Sequence, residues 1–177
     1  MSRSSQTTAQ GASEHSWTRW LLVSIAVIVL DQATKAWVSA GLRDGESLTL
    51  TAFFNLVLAH NTGAAFSMFA GAGGWQRTFF ITVALVASVT IIYLLRKHSG
   101  EQRFSFALSL ILGGAMGNLI DRIVSGPVVD FIQLHAGSYY WPAFNVADSA
   151  ISVGAALLLW DNFRQPAGPR SHSAHDR

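Results

Sequence analysis

Four long apolar stretches alternate with polar segments along the chain. They cover roughly 17–40, 78–95, 104–120 and 140–163, and each is near the ~20 residues with which a helix crosses a ~30 Å hydrocarbon core. The first stretch is also similar to a secretory signal peptide, with Val38-Ser39-Ala40 as a cleavage-like site. Because three further spans follow, we interpret it as an uncleaved transmembrane helix.

A period of two appears between the first two spans. In SLTLTAFFNLVLAHN (47–61) every second position from Leu48 to Leu58 is apolar, which predicts β structure. Unpaired strand edges are not tolerated in lipid, so we expect this segment, about 42–62, to lie outside the membrane. The predicted fold is a mainly α membrane protein with four transmembrane helices and a small extramembrane β-cradle.

Two polar tails flank the predicted transmembrane domain at 17–163. Residues 1–16 are rich in Ser and Thr and lack an apolar period, so we expect a disordered tail; 164–177 form the second tail. Basic residues predict that both tails are cytoplasmic. One side of the membrane is predicted to carry Arg3, Arg19, Arg96, Lys97, Arg103, Arg164, Arg170 and Arg177, against Lys35, Arg43, Arg77 and Arg122 on the other.

Composition narrows the classes of function. Apolar residues make up 50% of the chain and charged residues 12%, which is typical of a small polytopic membrane protein. The absence of cysteine excludes a disulfide framework, a thiolate nucleophile and Cys-ligated zinc or iron–sulfur sites. A formal charge of +2 without a basic, aromatic-rich run gives no indication of nucleic-acid binding.

Four aspartates lie in or beside the predicted spans, where acids are costly and are candidates for function: Asp31, Asp121, Asp130 and Asp148. The i,i+4 spacing of Asp31 and Lys35 favours a structural ion pair. For Asp121, with Arg122 beside it and Asn118 one turn earlier, we favour a network that braces the following loop, and Arg122 is also a candidate to meet a lipid or peptide group.

Asp130 and Asp148 have no cation near them in sequence. Both are predicted near the outer surface, with Asp148 on the order of 6 to 9 Å below a helix start near Pro142 to Phe144. Two carboxylates in one low-dielectric site share a proton. One then activates water while the other hydrogen-bonds a peptide carbonyl, as in aspartic proteases. This chemistry requires no metal or cofactor.

Other polar residues leave alternatives open. His60 and His135 are predicted as isolated loop residues, and Ser67, Ser109 and Ser149 as packing serines. Gly113, Gly114 and Gly117 predict close helix packing. The amides Asn61, Asn118 and Asn145 either satisfy loop backbone groups or hold an extended peptide. The buried acids also fit a proton-relay transporter, although no charged chain continues towards the cytoplasmic side. A purely structural subunit would tolerate Asn at both acids.

Four motifs carry a resemblance to a known family: DQATK (31–35), HNTGAAFS (60–67), GNLIDR followed by GPVVDF (117–131) and FNVADSAI (144–151). In order and spacing they resemble lipoprotein signal peptidase, also called signal peptidase II, over about residues 17–163. The GxGD motif expected of presenilin-like proteases is absent.

The resemblance implies an aspartic endopeptidase of the bacterial cytoplasmic membrane with its site near the periplasmic face. It implies cleavage of prolipoproteins before a diacylglyceryl-modified cysteine, with Asp130 and Asp148 catalytic and Asp31 and Lys35 as structural support. It places further residues in or around the site: Asn61, Gly63, Asn118, Asp121, Arg122 and Asn145. A monomer in contact with membrane lipids, with no cofactor and with the inhibitor globomycin binding at the site, completes the expectation.

Overall fold

Four helices and a small sheet make up the part of the chain that the computed structural model describes, residues 7–63 and 75–164. The remaining parts of both predicted tails, and positions 64–67 of HNTGAAFS with Ser67, lie outside the described residues. The helices are α1 (Thr7–Gly41), α2 (Trp75–Lys97), α3 (Gln102–Val124) and α4 (Val146–Arg164). Helix α3 packs against the other three.

Three of these helices are long and apolar enough to cross a membrane. They are Trp17–Gly41, Trp75–Lys97 and Gln102–Val124. The fourth predicted span corresponds to α4, a 19-residue helix that packs along α3 and has Asp148 in its first turn. The mainly helical membrane fold is confirmed.

Helix α1 begins earlier than we predicted. Its first residue is Thr7, so the predicted tail is helical over 7–16. Once a helix has nucleated in an apolar span, each added residue costs little. The residues between Ala9 and Glu14 include good helix formers, which allows the extension.

Helix α4 begins later than we predicted. The segment before it forms strand β4 (Tyr139–Tyr140) and an isolated bridge between Ile132 and Phe144. The N–H of Ile132 donates to the carbonyl of Phe144 at 2.8 Å. Pro142 has no N–H and disfavours a helical conformation in the residue before it, so the apolar run cannot enter the helix there.

The sheet is antiparallel, with strands in the order β1 (Ser47–Thr51), β2 (Phe54–Asn61), β3 (Val128–Ala136), β4. Strands β1 and β2 form a hairpin, which confirms the predicted β segment. Strand β3 was not predicted. It pairs with β2 so that Ala59 lies opposite Asp130.

A tight turn carries the chain from α3 into β3. Gly126 has a φ of 93°, a conformation that residues with a Cβ atom rarely adopt. The N–H groups of Ser125 and Gly126 both donate to the carbonyl of Asp121, at 2.8 and 3.0 Å. The turn at Gly126 and Pro127 therefore ends the helix and directs β3 back across the end of the bundle.

A small apolar cluster fixes the sheet to the end of α1. Val38, Leu58 and Phe131 are 1%, 4% and 5% exposed and pack together. Burial of each such side chain stabilises the contact by about 1.5 to 3 kcal/mol. Because Phe131 follows Asp130 in β3, this packing also fixes the position of the Asp130 backbone.

Candidate active site

A cavity of about 590 Å³ lies where the sheet meets helices α3 and α4. It is largely apolar, with a few polar groups that converge on one region. Its lining includes Asn61, Gly63, Asn118, Arg122, Val128, Asp130, Trp141, Phe144, Asp148 and Ser152. The structure thus brings Asp130 and Asp148 together in one cavity, although 17 residues separate them in the chain.

Asp130 enters the cavity from strand β3 and is 3% exposed. One carboxylate oxygen accepts a hydrogen bond from Asn61 Nδ2 at 2.9 Å and the other accepts one from Asn145 Nδ2 at 2.7 Å. The pKa of Asp130 is raised to about 6. Burial is the main cause and the neighbouring charge of Asp148 adds to it, whereas the two amides and Lys35 act in the opposite direction.

Asp148 enters from the first turn of α4. Its Oδ1 accepts from Asn118 Nδ2 at 2.8 Å and its Oδ2 accepts from the backbone N–H of Asn145 at 3.3 Å. In return, the backbone N–H of Asp148 donates to Asn145 Oδ1 at 2.9 Å. This reciprocal pair is a capping box, which fixes the Asp148 side chain at the helix start.

Asn145 therefore contacts both carboxylates, one through its side-chain amide and one through its backbone. Asn145 lies one residue before α4 and acts as the N-cap of that helix. Asp148 is consequently in the first turn, at a depth on the order of 3 Å, which is shallower than we predicted. The signature Asn-x-x-Asp before an apolar run indicates this cap in the sequence.

A family model described as Signal peptidase (SPase) II matches residues 23–164 of this chain. The chain belongs to the signal peptidase II family. Membership makes it a membrane peptidase that removes signal peptides in lipoprotein maturation, and it confirms the family predicted from the four motifs.

Bacterial relatives share about half of their residues with this chain over the matched region. The lipoprotein signal peptidase of Ralstonia nicotianae is 54% identical over 146 residues, which are 82% of this chain and 84% of the relative. The enzyme of the same name from a Janthinobacterium species is 49% identical over 154 residues, 87% of this chain and 93% of the relative.

Solved structures of bacterial membrane enzymes share the fold. One superposes with a TM-score of 0.78 at 29% identity, over 87% of this chain and 93% of the other. A second has a TM-score of 0.74 at 30% identity, over 84% and 95% of the two chains.

A buried ion cluster adjoins the two acids of the cavity. Lys35 Nζ is 2.8 Å from Asp31 Oδ2, which is the i,i+4 ion pair predicted from the sequence, and 2.7 Å from Asp121 Oδ2. Asp121 therefore has its ionic partner on another helix, because Lys35 lies on α1. The sequence did not predict this second contact.

The cluster also ties the loops of the site together. Asp31 Oδ1 accepts from the backbone N–H of Ala147 at 2.8 Å, so α1 holds the first turn of α4. Asp121 Oδ2 accepts from the backbone N–H of Val129 at 3.4 Å, which agrees with the predicted bracing of the following loop. Gln32, which sequence reasoning missed, donates to Asp121 Oδ1 at 2.9 Å; a glutamine in an apolar span was the available indication.

Arg122 meets a peptide group, one of the two contacts that we considered for it. Its Nη2 donates to the carbonyl of Gly63 at 3.2 Å, and its guanidinium lies 4.8 Å from the centre of the Phe80 ring. The N–H of Gly63 donates to Asn61 Oδ1 at 2.9 Å. Gly63 and Asn61 are thereby held at the rim of the cavity.

The two histidines lie in strands, not in loops as we predicted. His60 is in β2, where Nδ1 is 2.7 Å from Asp44 Oδ1, and His135 is in β3, stacked on Tyr140. His135 lies in strand β3, which depends on pairing between distant segments, whereas His60 lies in the 47–61 segment whose alternation already predicts β structure.

Proposed function

We propose that this chain is an intramembrane aspartic endopeptidase that cleaves prolipoproteins immediately before the diacylglyceryl-modified cysteine, with Asp130 and Asp148 as its catalytic residues. The observation that carries the proposal is the pair of carboxylates in one largely apolar cavity, connected through Asn145. Neither carboxylate forms an ion pair within the described part of the chain. An acid pair of this kind holds one proton between its members.

The hydrogen bonds are consistent with different roles for the two acids at the scissile bond, one as general base and the other as general acid. The ionised member of the pair removes a proton from water, which attacks the peptide carbonyl carbon. The protonated member donates to the carbonyl oxygen and later protonates the departing nitrogen. The carboxylate oxygens accept hydrogen bonds from three amides within the protein, those of Asn61, Asn118 and Asn145. The faces of the carboxylates that line the cavity are left for water and substrate.

The position of the cavity suits a substrate that is tethered to lipid. Three helices carry an apolar exterior of membrane-spanning length, and the acids lie at the end of the bundle beside the sheet. A signal helix and acyl chains would hold the scissile bond at this level, which raises its local concentration and orients it. We propose that the site faces the periplasm and that both termini are cytoplasmic.

Cleavage of a diacylglyceryl-modified prolipoprotein in detergent tests this function. We expect purified wild type to cleave it, and Asp130→Asn and Asp148→Asn each to lose activity by about 10³-fold or more, because neither variant can share a proton between two carboxylates. Asp161→Asn, which changes an acid near the other end of α4, should retain wild-type activity. Thermal melting establishes that each variant is folded.

The same assay distinguishes failure of the function from failure of the residue assignment. If folded wild type cleaves nothing, the peptidase proposal is wrong and proton transport becomes the better hypothesis. If a folded Asn variant cleaves at a substantial rate, the acid pair is wrong while the peptidase assignment survives.

Two further parts of the proposal concern binding and assembly. Globomycin should bind at the cavity and raise the melting temperature of wild type, and the enzyme should elute as a monomer once detergent mass is subtracted. A melting curve that globomycin leaves unchanged would contradict the first point, and a dimeric protein mass would contradict the second.

A further inference from the structure

Lys35 is a buried cation near the acid pair. One side chain, that of Asn118, separates its ammonium from Asp148. Lys35 is 3% exposed, and its ammonium donates to Asn118 Oδ1 at 3.0 Å in addition to its two aspartate partners. An ammonium has three N–H donors and no acceptor. All three donors of Lys35 are therefore used inside the protein.

The ammonium determines which end of the Asn118 amide faces it. Because Lys35 can only donate, Asn118 must present its oxygen to Lys35, and its Nδ2 then points to Asp148 Oδ1 at 2.8 Å. The reversed amide would place two N–H donors against an ammonium and a carbonyl oxygen against a carboxylate. Both contacts would be repulsive in a low-dielectric site.

The same oxygen also accepts from the second amide, Asn145, whose own oxygen is held by the backbone N–H of Asp148. Asn145 Nδ2 lies 3.3 Å from Asn118 Oδ1 and 2.7 Å from Asp130 Oδ1. One acceptor, polarised by Lys35, is thus shared by the amides that approach the two acids. Hydrogen bonds therefore connect Lys35 on α1 through Asn118 on α3 to Asp148, and through Asn118 and Asn145 to Asp130.

We propose that Lys35 is a positioning residue whose ammonium orients Asn118, so that an N–H donor and not a carbonyl oxygen faces Asp148 and so that the Asn118 oxygen holds the Asn145 amide that donates to Asp130. The proposal deepens the proposed function and rests on it for its catalytic consequence. The alternative is that Lys35 only neutralises Asp31, as its i,i+4 spacing predicts, and Asp121.

The charged groups around Lys35 determine how the electrostatic surroundings of the acid pair change when its ammonium is removed. Asp31 lies on α1, Asp121 and Arg122 on α3, Asp130 on β3 and Asp148 on α4. The guanidinium of Arg122 donates to the carbonyls of Asn118 and Gly63. Loss of the ammonium therefore leaves the acids with a more negative surrounding, and the pKa of Asp130 should rise further, because the charge of Lys35 lowers it.

The experiment compares wild type with Lys35→Met and with the double variant Lys35→Met/Asp121→Asn. The double variant removes one positive and one negative group, so the net charge of the buried cluster is unchanged. Each protein is titrated by infrared spectroscopy, and the carboxyl band of Asp130 is assigned by subtraction of the same background carrying Asp130→Asn. Cleavage of the diacylglyceryl-modified precursor gives kcat and KM, and thermal melting reports folding.

We expect the Asp130 band to titrate about one pH unit higher when Lys35 is replaced. We also expect kcat to fall on the order of tenfold to a hundredfold because the acids are misplaced, with KM changed by less than about threefold. Lys97→Met, at the C-terminal end of α2, serves as the matched control. It should leave the Asp130 titration, kcat and KM unchanged.

Chemical rescue separates charge from packing. Because the chain contains no cysteine, Lys35→Cys provides a single thiol. Aminoethylation of the unfolded chain followed by refolding restores an ammonium on a side chain of the same length, whereas S-propylation fills the space without the charge. The aminoethylated protein should regain the wild-type titration and kcat, and the propylated protein should not.

The outcomes test the positioning role of Lys35 separately from the proposed peptidase function. A folded Lys35→Met protein with wild-type titration and kcat would overturn it, as would rescue by the propyl adduct. Failure of both Lys35 variants to fold, together with failure of the aminoethylated protein to regain the wild-type titration, would also assign Lys35 to stability alone. If wild type cleaves nothing while the Asp130 titration still moves and is rescued, the positioning stands and the peptidase function does not.

Discussion

The aspartates near the end of the helix bundle have opposite electrostatic surroundings. Asp31 and Asp121 are 0% and 6% exposed and share the ammonium of Lys35, so their burial is compensated. Asp130 receives only neutral amide donors at 2.9 and 2.7 Å. A buried carboxylate without a cation reduces stability when it ionises. This loss of stability arises at Asp130, where the proposed chemistry takes place.

The stability of the enzyme should depend on pH through Asp130. Its pKa rises from 3.8 to about 6 on folding, so its favourable contribution is fully present below 3.8 and is lost as the pH rises through 6. Between about pH 5 and pH 8, we expect the free energy of unfolding of wild type to fall relative to Asp130→Asn by about 1 to 2 kcal/mol. Chemical unfolding in detergent at both pH values measures this difference.

The comparison uses the change with pH and not the absolute stability of the variant. Asparagine has a single carbonyl oxygen, so Asp130→Asn also loses one of the two amide hydrogen bonds at every pH. Asp161→Asn, at an acid near the other end of α4, provides the control. A difference between wild type and Asp130→Asn that stays constant across the range would contradict the raised pKa.

Helix α3 is the element that brings the parts of the site together. Its glycine face allows backbone approach of α1 on one side and α4 on the other, as the small-residue spacing predicted. A Cβ atom at Gly113 would lie 2.7 Å from Val27 Cβ, and one at Gly117 would lie 2.7 Å from Asp31 Oδ2. The close contacts set the distance between the helices that carry Lys35, Asn118 and Asp148.

Substitution at this face should move α4. In Gly114→Ala the added methyl would overlap the carbonyl of Ala147 and come within 2.7 Å of Ile151 Cγ1. We expect destabilisation of about 1 to 3 kcal/mol from overpacking, with a loss of cleavage because Ala147 adjoins Asp148. Thermal and chemical unfolding measure the first effect and the precursor assay the second.

Gly100→Ala is the matched control for this prediction. A Cβ atom at Gly100 meets nothing within 4 Å, and the residue lies in the turn between α2 and α3. Its stability should remain within about 0.5 kcal/mol of wild type. Equal melting of the two glycine variants would show that the helix contact at Gly114 is not tight.

At the scale of the whole molecule, one end differs from the other. The sheet, the cavity and the ion cluster lie at the end of α1 that contains Lys35 and Gly41, whereas the α2–α3 turn lies at the opposite end. The proposed reaction on a membrane-tethered substrate needs only one end of the bundle. The bias of basic residues towards the opposite end predicts its cytoplasmic location.

The orientation can be measured because the chain lacks cysteine. Ser138→Cys places a thiol in the β3–β4 hairpin, and Gly100→Cys places one in the α2–α3 turn. In intact cells with a permeabilised outer layer, a membrane-impermeant maleimide should label the first variant, and it should label the second only after the inner membrane is opened. The reverse pattern would contradict the proposed topology.

Most of the helical architecture could be predicted from the sequence. Apolar length, the alternation at 47–61, the Asp31–Lys35 spacing and the small residues of α3 are local patterns, and each reports a local preference of the backbone or of one helix face. The motifs containing Asp130 and Asp148 also indicated the family, which the comparison with known proteins confirmed.

Contacts between distant segments required the tertiary structure. Strand β3 depends on pairing with β2 across the 66 positions between Asn61 and Val128, and Lys35 meets Asp121 and Asn118 from another helix. A hydrogen-bond partner on another element leaves no period in the sequence, because only the folded backbone determines which polar groups are buried together. The sequence by itself determined the helices, the family and the candidate acids; the packing of α1, α3, α4 and the sheet decided which amides and which cation surround them.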